Sequence, residues 1–205
     1  MTGASQAPTR AAVLALRDER RLVGEAFEFL DEKRLVLAAE LLRQLERYER
    51  LRIELDALAD TAGRRLATAV QRHGLQELAV YPARAHGQRR LDVQQRNFMG
   101  VRLLETSLNT AGQPAPTAQA CFPSAEAEGC RLGFEQLVER SGELAGVAGN
   151  LYRLMAEYRL TERRARALEN IVLPELDQLL KDMTTHLDEV DLEDAIRVRR
   201  QVKAG

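Results

Sequence analysis

No proline stands between Thr9 and Tyr81, and none between Ser124 and Leu173. Proline lacks an amide donor and its ring clashes with the preceding turn, so long helices run only where it is missing. The six prolines fall at 8, 82, 114, 116, 123 and 174, which leaves two long stretches free to be helical. Composition points the same way. Leu, Ala, Arg, Glu and Lys supply 112 of 205 residues, the bias of long helices and coiled coils. Aromatics are only 4% and Trp is absent, so a globular core would lack its usual large fillers.

Each stretch carries a narrow apolar stripe. Stepping from Leu16 by alternate fours and threes to Ala69 meets Val23, Phe27, Leu30, Leu37 and Leu51, with twelve of sixteen positions apolar. The same stepping from Leu137 to Glu193 meets Met155, Leu176, Leu179 and Met183, with twelve of seventeen apolar. Stripes this narrow and this long are coiled-coil seams. The expected fold is all-α: a long antiparallel two-helix coiled coil formed by residues 9–73 and 124–203, with a small hairpin and loop region over 74–123.

Matching the helix ends pairs residues whose numbers sum to about 206. Val23 then meets Met183, Phe27 meets Leu179, Leu30 meets Leu176, Leu51 meets Met155, and Arg20 faces His186. Gly142, Gly146 and Gly149 share one helix face, set in this register opposite Ala57, Ala62 and Gly63. Interior glycine costs about 1 kcal/mol relative to Ala, so three on one face suit either a close approach by a backbone or a partner's side chain, or simply a weaker, frayed stretch of helix. In the middle, Leu91–Arg96 alternates and Phe98–Leu104 is β-prone around Met99-Gly100. That pattern predicts a hairpin capping the far end of the coiled coil.

Chemistry is hard to find in this chain. Neither G-x-x-x-x-G-K-[ST] nor G-x-G-x-x-G occurs, so no phosphate loop is written. His73, His86 and His186 have no metal-ligand spacing, and Cys121 and Cys130 make neither a disulfide scaffold nor a zinc pattern. No catalytic residue, metal or cofactor is expected. Net charge is −1, and the arginine clusters lack interleaved aromatics, which disfavours nucleic acid as a partner. With no apolar run of membrane length and no signal-peptide pattern, the expectation is a cytoplasmic chain without membrane insertion. Two basic clusters suit contact with acidic or carbonyl-rich protein surfaces: Arg163, Arg164 and Arg166, and, near the end, Arg197, Arg199, Arg200 and Lys203, although the last group equally complements the dipole at a helix C-terminus.

The motifs at the two ends resemble one family. Pro8-Thr9-Arg10, Leu14, Arg21-Leu22, Phe27, Leu30, Lys33-Arg34 and Leu37 resemble the opening of the D subunit of the V-type (archaeal/vacuolar-type) ATPases. The run from Thr161 through Arg163-Arg164 and Ala167-Leu168-Glu169 to Val172-Leu173-Pro174 is similar to its T-x-R-R-V-N-A-L-E-x-x-V-I-P block. The charged tail from Leu187 to Lys203 and Asn97-Phe98-Met99-Gly100-Val101 also match. The chain departs from the pattern at Ala165-Arg166, where the family has Val-Asn, and at Leu103-Leu104, where a proline is missing.

The resemblance implies a central rotor (stalk) subunit, a non-catalytic part of a V-type ATPase or ATP synthase. Its paired terminal helices would enter the hexamer of catalytic and regulatory subunits. Its middle would bind the small F subunit and seat on the funnel subunit over the membrane rotor ring. Such a shaft links ATP synthesis or hydrolysis to proton or sodium translocation, peripheral to the membrane on the cytoplasmic side. Pro174 would free one carbonyl and bend the second helix. An independent cytosolic coiled-coil adaptor or scaffold is the competing reading.

Overall fold

The computed structural model describes residues 9–81, 89–110 and 124–204. Helix α1 spans Arg10–Val80. Thr9 caps it, its hydroxyl accepting from the Ala12 amide at 3.1 Å and so satisfying one of the free donors of the first turn. Helical geometry is interrupted at Gly74, where φ is 72°, a conformation that glycine adopts without steric cost. Helix α2 covers Ala125–Ala167, followed by a π-helical turn at Leu168–Val172 and helix α3 at Leu173–Ala204. Ser124 caps α2 by accepting from the Ala127 amide, and Glu126 and Glu128 lie at its positive end.

The chain divides into two compact units: residues up to Val36 with those from Tyr158 on, and Leu37–Glu157. In both, the pairing is antiparallel. Within the first unit Arg10 reaches Asp191 at 2.8 Å, and Arg20 reaches Asp177. Val13, Ala165 and Leu176 are buried along this seam. Within the second, Arg47 pairs with Glu143, Arg65 donates to the Gly129 carbonyl, and Arg72 pairs with Glu126. Leu37, Leu51, Ala62 and Ala69 of α1 and Val147 and Leu154 of α2 form its buried seam.

The register differs from the expected one. The ion-paired residues sum to 201 and 197 in the first unit; in the second, Arg72 with Glu126 sums to 198 and Arg47 with Glu143 to 190. A sum of 206 would leave the first turns of α2, from Ala125 on, without a partner on α1 before its break at Gly74; the observed pairing of Arg72 with Glu126 covers them by sliding the second strand about two turns. Arg20 therefore faces Asp177, while His186 lies exposed beside Glu189.

Strands β1 (Arg89–Phe98) and β2 (Val101–Thr110) form an antiparallel hairpin in which Phe98 pairs with Val101. The two-residue turn has φ of 49° at Met99 and 87° at Gly100, the double left-handed geometry whose twist suits a tight hairpin. The hairpin does not cap the end of the helices. It lies along the flank of the second unit, because its apolar residues Val101 and Leu103 must be buried and the glycine face of α2 leaves room for a strand.

Candidate partner-binding surfaces

The docking of the hairpin is built from missing side chains and a few polar contacts. A Cβ at Gly146 would overlap the Thr106 hydroxyl, and one at Gly142 would touch Leu91 and Leu108. Thr106 Oγ1 donates to the Gly142 carbonyl at 2.8 Å. Thus Gly142 and Gly146 do receive close neighbours, but these come from the hairpin, while the space at Gly149 is met by Arg153 of its own helix. The expected partners Ala57, Ala62 and Gly63 are not there: Ala62 packs instead beside Gly133, 3.5 Å from where its Cβ would stand.

Asn150, one turn beyond Gly146, is buried and holds the backbone of Leu104 on β2. On the other side Arg96 of β1 reaches Glu40 of α1 at 3.3 Å and lies over the Phe98 ring. Glu40 is buried in the α1 seam. Burial pushes its carboxyl up, but hydrogen bonds from Arg43 and Gln44 and the charges of Arg43 and Arg96 outweigh this and hold it below the usual range. Neither Asn150 nor Glu40 stands out in the sequence. The available signal is a polar residue inside an apolar frame, and such a residue reads equally as a solvated position.

Between α1, the hairpin and α2 lies an open polar cleft of about 950 Å³, with Glu54, Glu105, Glu139 and Glu143 beside Arg47 and Arg140. Arg47 and Arg140 both donate to Glu143, at 2.9 and 3.1 Å. Glu143 is thus met by one arginine from each helix.

Of the candidate contact arginines, Arg163, Arg164 and Arg166 are all exposed, in three successive directions around α2. Arg166 is tied to Glu162 at 2.7 Å, whereas Arg163 and Arg164 carry no ion pair among the described residues. Arg197, Arg199 and Arg200 are exposed on α3, with Arg197 3.8 Å from Asp194. The Lys203 side chain lies outside the described residues.

The seam candidates divide. Leu51 and Leu176 are buried; Val23, Phe27, Leu30 and Met183 are half-buried. Met155 is 40% and Leu179 48% exposed, while their neighbours Leu154 and Leu180 turn inward.

The described residues offer no catalytic constellation. Cys130 is buried, which pushes its thiol up and away from the reactive thiolate. His73 lies 4.0 Å from Glu77 of its own helix. Cys121 and His86 lie outside the described residues. Among those described, no group of His, Cys, Asp and Glu is placed to hold a metal ion, and no helix is long and apolar enough to cross a membrane. What the surface offers is shape and charge: arginines on the helices, and a hairpin flank. Large apolar residues also stand out in the open, among them Ile53 at 71% and Tyr152 at 80% exposure.

Similarity to known proteins extends over nearly the whole chain. The family model described as the ATP synthase D subunit matches residues 12–203. The V-type ATP synthase D subunit of Thermotoga neapolitana is 27% identical over 196 residues, 96% of each chain. The A-type ATP synthase D subunit of Pyrococcus horikoshii is 29% identical over 199 residues, covering 96% of this chain and 92% of the relative. That of Methanopyrus kandleri is 31% identical over 197 residues, covering 94% and 84%.

Proposed function

This chain belongs to the ATP synthase D-subunit family, and from that premise we propose that it is the central rotor shaft of a V/A-type ATP synthase. It couples ATP synthesis or hydrolysis in a catalytic hexamer to proton or sodium translocation through the membrane ring. Its partners are the catalytic and regulatory subunits of the hexamer, the small F subunit, and the funnel subunit over the ring. It works on the cytoplasmic face, peripheral to the membrane. Bond chemistry belongs to the hexamer; the shaft contributes force and position.

The observation that carries this reading is the family match over residues 12–203 in a chain of long, antiparallel, ion-paired helices. A two-stranded seam resists bending and twisting better than a single helix, because interlocked layers cannot slide independently. Exposed arginines with few internal partners, Arg163 and Arg164 first, then Arg199 and Arg200, are free to meet carboxylates or carbonyl rims on the surrounding subunits.

The test is reconstitution. Co-expressed with the hexamer subunits, the chain should purify with them, and a probe fixed to it should rotate when ATP is supplied. Replacing Arg163, Arg164 and Arg166 together with Gln should leave the helical signal and melting temperature nearly unchanged, since exposed charges contribute within about 0.5 kcal/mol each. The same variant should weaken assembly or slow ATP-driven turnover. A chain that never associates with a nucleotide-binding hexamer would be an adaptor instead.

A further inference from the structure

The seam of the first helix keeps its heptad, and the seam of the second does not. Through the first unit α1 turns Val13, Leu16, Val23, Phe27, Leu30 and Arg34 inward, all on one alternation of threes and fours. On the opposing strand Thr161, Ala165 and Leu168 turn inward at the same spacing. Continued unbroken past Val172, that frame would bring in Glu175, Leu179, Asp182 and His186, every one of which is exposed. Leu176, Leu180, Met183 and Leu187 turn inward instead, each one position later and each apolar, with Thr184 half-buried beside Met183.

The whole offset arises at one place. Val172 is the last residue on the old frame and Leu173 the first on the new, and both are half-buried. From Leu168 to Leu173 the step is five, where four belongs. Those residues are the π-turn, in which the Leu173 amide donates to the Leu168 carbonyl, five residues back. A π-turn holds one residue more than the α-turn it replaces. Pro174 follows directly and has no amide to offer to the carbonyls behind it.

We infer that the π-turn is a stored one-residue insertion that hands the seam from one heptad phase to the next. Pro174 does not create it; the positions of Leu176, Leu180, Met183 and Leu187 demand it. The second strand can therefore lose one residue inside Leu168–Val172 and close up as ordinary α-helix with its seam intact. In regular helix, the same loss rotates everything downstream out of the seam.

The experiment compares single-residue deletions in the full chain, both carrying Pro174→Ala so that a restored α-helix keeps all its hydrogen bonds. Deleting exposed Glu169 should leave the melting temperature within a few degrees of the Pro174→Ala parent, or raise it. Deleting exposed Lys181, in regular helix, should lower it steeply or prevent folding. Equal losses from the two deletions would overturn the inference. Point substitutions read the phase without any deletion. Leu179→Lys should leave the melting temperature nearly unchanged and Leu180→Lys should lower it, and the reverse order would place the seam in the unbroken frame. A crystal structure of the Pro174→Ala parent should retain the Leu173-to-Leu168 hydrogen bond. An α-helical turn there, with Leu179 facing inward, would assign the π-turn to proline alone.

Discussion

Asn150 closes on Leu104 with both arms of its amide: the Leu104 N–H donates to Oδ1 at 2.8 Å, and Nδ2 donates to the Leu104 carbonyl at 2.7 Å. A helix side chain thus does what a neighbouring strand would do, pairing with both groups on the outer edge of β2. Replacing Asn150 with Leu leaves that edge unpaired beside the helix, at a cost of about 1–3 kcal/mol. Amide exchange at Leu104 should therefore speed up by about fivefold to a hundredfold, one factor of ten being about 1.4 kcal/mol. Unaltered protection at Leu104 would mean that the hairpin is held without this clamp.

Glycines of the same helix pair should answer differently to the same methyl group. Gly146→Ala drives a Cβ into Thr106, and overpacking of this kind costs about 1–3 kcal/mol. Adding Thr106→Ala should return much of the loss, a coupling that a double-mutant cycle reads directly. Gly63 on α1 has nothing within 4 Å of its missing Cβ, so Gly63→Ala should stabilise by up to about 1 kcal/mol through helix propensity. Denaturant titration of the four variants checks all of this together.

A disulfide reports the register. A Cβ built at Gly133 stands 3.5 Å from that of Ala62, within the range of about 3.5–4.5 Å that a disulfide spans. With Cys121 and Cys130 replaced by Ser, the pair Ala62→Cys and Gly133→Cys should oxidise readily. The pair Leu30→Cys and Leu176→Cys should stay reduced. Their numbers sum to 206, against 197 for the observed partners Arg20 and Asp177, an axial displacement of about 13 Å. Oxidation of the second pair alone would restore the end-matched register.

Acid should loosen the helix pairs. The Arg47 hydrogen bond holds the Glu143 carboxyl below the usual range against the opposing effect of burial, with Arg140 assisting; Arg20 does the same for Asp177. A carboxyl depressed in the folded state adds stability that is complete above its unfolded value, about 4, and is lost as pH falls through the lower folded value. The arginines do not titrate in this window. Melting temperature should be flat from about pH 8 to 5 and fall below about pH 4. Glu143→Gln should make the acid limb shallower, and an unchanged slope would remove Glu143 from the account.

Much of the fold is legible in the sequence, and what escapes does so for identifiable reasons. The α1 seam is legible because one heptad frame serves most of its length: Leu37, Leu51 and Ala62 lie where simple stepping puts them, and all are buried. The second strand is blurred by a single frame carried across the π-turn, so stepping turns Leu179 inward and leaves Leu180 out; Pro174 marks a disturbance there but not a change of phase. The need for a close neighbour at Gly142 and Gly146 is visible, but not that a strand supplies it, since glycine records only that space is required. The tight turn at Met99-Gly100 is visible from residue type; its docking is not, because Asn150 and Glu40 act across the chain. The arginine clusters can be located from sequence, and the structure adds which of them are already engaged, Arg166 by Glu162 and Arg197 by Asp194.

The notch that receives Thr106 has a consequence for how the sequence can drift. A contact made by a side chain can be kept through many replacements of similar size, so such positions wander over time. A contact made by the absence of an atom allows no such wandering, since each of the other amino acids begins with the Cβ that Gly146 lacks. Exhaustive substitution of α2 should leave position 146 almost empty of tolerated variants, beside exposed and permissive neighbours such as Ala145. The hairpin's address on the helix is therefore among the least editable letters of the chain, although it is the smallest.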